Sequence, residues 1–257
     1  MRKESLKMIN SIVFEGMTSI RAILRSIDLG TNQRRIEKIL YDTTKIKKIS
    51  KELGYLKAVS EKYGYEVVES NSSEFEELVL GTSHGGIVAL CTERKLPTLT
   101  KEDIKPNGFY AMIEGIEDPY NFGYALRSLY ACGCDGIILG ERNWMSAGGV
   151  VCRSSAGASE LFKIYLSDEL SCSELFKELG YKVVCADERT ENLLGKTELL
   201  YPILLIVGGE KRGISRKLLS SADILVKIPY GREFNASLSA ASASTMFAYE
   251  IMRQNIK

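Results

Sequence analysis

Three loops of this chain bring together residue types whose spacing could do chemistry. The first runs Glu117-Asp118-Pro119-Tyr120-Asn121-Phe122-Gly123-Tyr124-Ala125-Leu126-Arg127. Pro119 and Gly123 shape a turn, and Asn121 is placed to cap a helix. Arg127 is expected on the first turns of that helix, near the end that attracts anions. A guanidinium there can grip a phosphate through its planar fork. Alone, this loop reads better as a capped helix bearing a surface arginine. The second loop is Val207-Gly208-Gly209-Glu210-Lys211-Arg212-Gly213-Ile214-Ser215. Gly213 is followed by isoleucine, so it is no Walker loop, and Gly208-Gly209-Glu210 breaks a GxGxxG dinucleotide fingerprint. What remains is a tight loop that lets backbone approach a ligand, with a carboxylate at its centre. The third is Lys227-Ile228-Pro229-Tyr230-Gly231-Arg232-Glu233-Phe234-Asn235-Ala236-Ser237-Leu238-Ser239. It closes a strand, turns, and leads at Asn235 into an Ala/Ser-rich helix able to pack closely on another backbone or subunit.

The elements around these loops give them positions. Apolar runs at Phe109–Ile113, Gly136–Leu139, Lys182–Cys185, Ile203–Val207 and Ile224–Ile228 read as strands. Helical spacing at Phe122–Ala131, Leu175–Leu179 and Ala236–Met252 lies between or after them. Alternation of this kind predicts a parallel sheet covered by helices, with ligands bound beyond the carboxyl ends of the strands. The loops after Ile113, Val207 and Ile228 are the places to look. Before residue 100 helical and strand patterns alternate as well. Helices are expected at Thr18–Ile27, Lys45–Tyr63 and Ser72–Leu78, and strands at Ile36–Tyr41, Glu66–Glu69 and Gly86–Leu90. The polar stretch Arg94–Asp103, with Pro97, reads as a linker. The expected division is 1–100 and 101–257.

Composition is that of an ordinary globular protein, at 45% hydrophobic and 26% charged residues over 257 positions. No apolar run is long enough to span a membrane and no signal-peptide core follows Met1, so a cytoplasmic protein is expected. The six cysteines form no CxxC pair, and His84 is the lone histidine, so neither a metal site nor a disulfide framework is expected. Cys132 and Cys134 read as buried thiols, and His84 as a loop hydrogen-bonder. Residues 1–62 hold 14 Lys+Arg against 7 Asp+Glu, whereas residues 108–257 hold 16 against 18. A basic N-terminal region points to a polyanion, with phosphates the obvious candidate, and equally to the solvated face of an amphipathic helix at Lys45–Lys51.

Each loop is weak alone. In order, they resemble the three motifs of the SpoU/TrmH family of RNA methyltransferases. Asn121, Gly123 and Arg127 match the first motif. Gly208, Glu210 and Gly213 match the second, and Ile228-Pro229 with Asn235-Ala236-Ser237 match the third. Cys152-Arg153-Ser154-Ser155-Ala156-Gly157-Ala158 resembles the family's Ser-x-Gly-Ala segment, and the likeness spans about 108–253. Gly81–Ala89 resembles part of the substrate-binding domain that precedes many such enzymes. One departure stands out: Pro229 and Asn235 lie three residues closer than in the family, with Glu233 where it has serine and Phe234 where it has leucine.

The resemblance implies a SPOUT-type α/β fold, a parallel sheet with a C-terminal trefoil knot, preceded by a smaller α/β substrate-binding domain. It implies S-adenosylmethionine as methyl donor, held by Gly208, Gly209, Ile228, Pro229 and Phe234. The acceptor would be a ribose 2′-hydroxyl of RNA, with ribosomal RNA favoured over transfer RNA, and the enzyme a homodimer needing no metal. Asn121, Arg127, Glu210 and Asn235 would form the catalytic set. A free arginine is a very poor base, so phosphate positioning suits Arg127 better than proton removal. A catalytically silent RNA-binding protein and a base-nitrogen methyltransferase on the same fold are the alternatives.

Overall fold

The computed structural model describes residues 12–79, 84–140, 147–209 and 213–256. In chain order the elements are β1 (Val13–Glu15), α1 (Gly16–Leu29), β2 (Ile36–Asp42), α2 (Ile46–Tyr63), β3 (Glu66–Ser70), α3 (Ser72–Leu78) and β4 (Ile87–Cys91). They continue with β5 (Phe109–Glu114), α4 (Pro119–Ala131), β6 (Gly136–Leu139), α5 (Gly148–Ser154), α6 (Ala158–Leu161) and β7 (Ile164–Leu166). The last are α7 (Glu169–Glu178), β8 (Lys182–Ala186), β9 (Ile203–Gly208), α8 (Arg216–Ser221), β10 (Ile224–Val226) and α9 (Ala240–Asn255). Two compact units contain them. The first takes Met1–Lys95 with Asn143–Leu161, the second Leu96–Arg142 with Phe162–Lys257. The chain thus passes between units three times, where a single cut near residue 100 was expected.

In the first unit a four-stranded sheet has the order β1-β4-β2-β3, with β2 and β3 parallel and the other pairs antiparallel. The helix α1 buries Ile20, Ile23 and Leu24 and stops at Gly30, whose left-handed φ of 63° lets its N–H reach the carbonyls of Ser26 and Ile27. The helix α2 buries Ile49, Leu53 and Leu56, spaced as one face of a 3.6-residue period, and leaves Lys47, Lys48, Lys51 and Lys57 exposed. The residues resembling the Ser-x-Gly-Ala segment belong here. Cys152 packs in the core with Phe14 and Ile23, and Arg34 Nε meets Glu160 Oε2 at 3.0 Å with both side chains buried. His84 is buried, packs tilted against Phe75 and accepts the Gly86 N–H at Nδ1, as a loop hydrogen-bonder does.

The second unit is a six-stranded, wholly parallel sheet in the order β10-β8-β9-β5-β6-β7. The central strands β5 and β9 are buried along nearly their whole length, which explains their unbroken apolar runs. β7 is an edge strand too short for the sequence pattern to mark. Pro97 and Leu99, inside the expected linker, hydrogen-bond to Leu166 and extend that edge. All six cysteines are buried and free, Cys132 and Cys134 among them.

Three local expectations are corrected. Asp118, not Asn121, caps α4: its carboxylate accepts the Asn121 N–H at 2.8 Å, and Pro119 occupies the first turn, where a missing N–H costs nothing. Arg127 accordingly lies beyond the second turn of α4, too far along to feel the helix end. Asn235 does not open the last helix. That helix begins at Ala240, capped by Ser239, whose hydroxyl accepts the Ser242 N–H at 3.2 Å. The small residues Ala240, Ala241, Ser244 and Ala248 form the buried side of α9, and α9 packs against α4, with Thr245 donating to the Ser128 hydroxyl at 2.7 Å.

Candidate functional site

A cleft of about 680 Å³ opens in the second unit at the carboxyl ends of three neighbouring strands. β8 contributes Ala186 and the following Asp187, Glu188 and Arg189. β9 contributes Val207 and Gly208, then Gly209, Gly213 and Ile214. β10 contributes Val226, then Lys227, Ile228, Pro229 and Tyr230. Phe234, Ser237, Leu238 and, from α9, Ala240, Ala243 and Phe247 complete the wall. Its position is the one a parallel sheet dictates, and its size suits a cofactor.

The glycines here are required by the chain itself. A Cβ on Gly208 would sit 2.4 Å from the Gly213 carbonyl carbon, and one on Gly209 would sit 2.1 Å from the Gly115 oxygen. Gly213 N–H donates to Gly209 O at 2.9 Å and closes the loop at its base. Ser215 N–H donates to Glu114 Oε2 at 3.1 Å, which ties this loop to the end of β5. The sequence reading assigned these glycines to close approach by a ligand, whereas the close approach seen is backbone to backbone. The cleft wall that results is bare main chain.

Polar groups enter from β8. The Arg189 guanidinium grips both oxygens of Asp187, Nε to Oδ1 at 3.0 Å and a terminal nitrogen to Oδ2 at 2.6 Å. Those bonds hold the Asp187 carboxyl below its ordinary range, so the cleft keeps a fixed, charge-balanced pair. Sequence reasoning missed this loop, although the carboxyl-end rule applied to β8 as much as to its neighbours.

Of the residues expected at a site, Gly208, Gly209, Ile228, Pro229 and Phe234 all line this one cleft. Asn121, Arg127 and Asn235 do not line it; Arg127 and Asn235 are exposed, on α4 and on the loop before α9. Glu210 lies outside the described residues. Among the described residues, no group of three or more His, Cys, Asp or Glu is arranged to hold a metal.

The family model of the SpoU rRNA methylases matches residues 108–249, more than half of the chain. The chain belongs to the SpoU rRNA methylase family. The matched span contains all three loops and every cleft-lining residue. Among relatives, YacO of Bacillus subtilis (strain 168), assigned to the TrmH family of tRNA/rRNA methyltransferases, is 27% identical over 187 residues, covering 70% of this chain and 74% of that protein. A TrmH-family relative from Staphylococcus haemolyticus (strain JCSC1435) is 30% identical over 144 residues, covering 56% of this chain and 57% of that one. The fold is shared with an AdoMet-bound rRNA methyltransferase from Sinorhizobium meliloti, at a TM-score of 0.77 and 21% identity over 94% of this chain and 87% of that one. It is shared equally with the SpoU methyltransferase AviRb of Streptomyces viridochromogenes in complex with AdoMet, at 0.77 and 22% identity over 94% and 89%. A crystal structure described as an RNA 2′-O ribose methyltransferase aligns at 0.72 and 21% identity over 94% and 88%.

Within this SpoU chain the loop before α9 keeps the departure seen in the sequence. Glu233 is exposed and does not line the cleft, whereas Ser237 does. The serine hydroxyl that borders the cleft therefore follows Asn235 rather than preceding it.

Proposed function

We propose that the protein transfers a methyl group from S-adenosylmethionine to a ribose 2′-hydroxyl of RNA, with ribosomal RNA as first candidate, in the cytoplasm and as a homodimer. The observation that carries this is the cleft: it gathers all five residues that the motifs assign to the cofactor, in a chain of the SpoU family. Its donor set fits such a ligand. Bare main chain at Gly208 and Gly209 and apolar walls at Ile228, Pro229 and Phe247 suit an adenine ring, while Asp187 and Glu188 offer acceptors to hydroxyl or ammonium groups. Two fold neighbours are described with AdoMet bound, which supports the same assignment.

The bound sulfonium supplies an activated methyl group. The chain's residues have to align the attacking oxygen and take up its proton. Arg127 stands exposed on α4, with no acidic partner among the described residues, and can fix an RNA phosphate through two parallel bonds. Asn121, Glu210 and Asn235 order the ribose and the guanidinium around it. A second copy covers the exposed Tyr120 and Tyr124 of α4 and Met246 and Tyr249 of α9, bringing one subunit's Arg127 to the other's cleft. The trefoil knot of the SPOUT fold belongs to the same reading. The unit built mainly from residues 1–100 presents RNA through the lysine face of α2, and residues 101–257 perform the transfer.

The test pairs titration calorimetry with S-adenosylmethionine and nucleoside mass spectrometry of ribosomal RNA treated with the enzyme. Micromolar or tighter binding and a new 2′-O-methylnucleoside are expected. Binding without methylation makes the protein a silent RNA binder, and a methylated base moves the acceptor to a ring nitrogen.

A further inference from the structure

The loop between β10 and α9 carries two aromatic side chains in the open. Tyr230 and Phe234 are 43% and 59% exposed, yet both border the cleft. Their ring centroids are 6.0 Å apart and tilted by 56°, and the Tyr230 hydroxyl accepts the Leu238 N–H at 3.2 Å, which fixes the far end of that ring. Arg232 between them and Asn235 beside Phe234 are exposed as well. Large apolar rings kept in solvent at the lip of a binding cleft need a partner. The tilt leaves no parallel slot between the rings, so a planar partner must lie on the outer face of one of them.

We infer that the Tyr230–Phe234 pair is a stacking face for an unpaired base of the RNA substrate, at the mouth of the cleft; this rests on the reading of the cleft as the methyl donor's site. A ribose hydroxyl reaches a recessed donor only when its nucleotide leaves the helical stack, and the exposed base then needs a new π partner. An aromatic face, an arginine for phosphate and an amide for a ribose or base edge form the usual combination for single-stranded RNA. Phe234 stands where the family pattern has leucine, which has no π face. The Phe234 ring thus serves RNA at the rim of the cleft that the residue helps to line.

The experiment uses the full chain with a short single-stranded RNA carrying 2-aminopurine, whose fluorescence is quenched on stacking. Wild type is expected to quench it. Phe234→Ala and Tyr230→Ala should weaken RNA binding by about fivefold to 150-fold, since stacking is worth about 1–3 kcal/mol per base. Phe234→Trp should retain binding and Phe234→Leu should not. Because both residues also line the cofactor cleft, S-adenosylmethionine affinity should fall by a smaller factor than RNA affinity in each alanine variant. Loss of S-adenosylmethionine affinity with RNA binding intact would assign the rings to the cofactor's adenine and overturn the inference. Conversion of the alanine variants to monomers in sedimentation would make the pair a subunit contact and overturn it equally. Should wild type bind no S-adenosylmethionine, the reading of the cleft fails, while the quenching series still decides the aromatic pair.

Discussion

Gly209→Ala is the sharpest probe of how the cleft is built. The added Cβ would stand 2.1 Å from the Gly115 oxygen, 2.4 Å from its carbonyl carbon and 3.0 Å from Ile116 N, all of them main-chain atoms. A tolerable carbon–oxygen contact is about 3.3 Å, so one loop must retreat by roughly 1 Å. The retreat falls where β5 and β9 still pair, Glu114 opposite Gly208, and where Glu114 holds Ser215. Forced overpacking of this kind costs about 1–3 kcal/mol. In a protein of this size that lowers Tm by about 2–12 °C. Because the same loop walls the cleft, S-adenosylmethionine affinity should fall tenfold or more, a cost typical of a 1 Å misplacement. Gly54→Ala is the control: nothing lies within 4 Å of its Cβ position, it sits in the exposed middle of α2, and alanine there should raise stability by about 0.5–1 kcal/mol. Differential scanning calorimetry and ligand titration read both effects. Wild-type Tm in a Gly209→Ala protein that has lost only its cofactor affinity would refute the backbone argument and return the glycine to direct ligand contact.

Arg127→Ala should lower single-turnover methylation a hundredfold or more with cofactor affinity unchanged, and Arg127→Lys should recover little, because a point charge lacks the two-pronged grip; near-normal rates in the folded alanine variant would remove Arg127 from the mechanism. Glu160→Gln leaves the buried Arg34 without its carboxylate and should cost about 3–5 kcal/mol in urea unfolding, while a change below about 1 kcal/mol would show the ion pair to be dispensable. The thiols should be inert in the native state, since burial pushes Cys152, Cys172 and Cys185 up to about 12 and raises Cys91 and Cys134 further; Ellman's reagent should find all six only in denaturant, and fast native labelling would contradict the packed core.

The sequence carried the fold where elements were long enough to show a period or were buried on both faces. Gly136–Leu139 coincides with β6, and Ile36, Glu66, Lys182 and Ile203 each open the strand expected of them. Ends were less legible. The expected strand Ile224–Ile228 stops at Val226, because Lys227 bridges to Leu193 in a passing loop rather than continuing the sheet. The short elements β7, α5, α6 and α8 are stabilised by tertiary neighbours and have no periodicity of their own to read. The clearest case is Arg34 and Glu160, 126 residues apart: a buried arginine and glutamate look like surface charges in sequence, yet their pairing, with Thr31 and Asn32 donating to the Glu160 carbonyl, ties the α6 segment to the first unit.

The site was legible for a different reason. A parallel sheet sends its loops to one end, which pointed to those after Val207 and Ile228, while the family resemblance singled out Gly208, Gly209, Ile228, Pro229 and Phe234, and all five border one cleft. The same rule, followed through, would have added Asp187 and Arg189 after β8. They were passed over because a charged loop without glycine resembles any solvated turn. The glycines show the limit from the other side. Their type announced a close approach, but sequence could not say of what, and the answer lay at Gly115 and Gly213, where the chain packs against itself. A motif read as ligand contact is here first a condition for the wall to exist, and the bare main chain offered to a ligand follows from that packing.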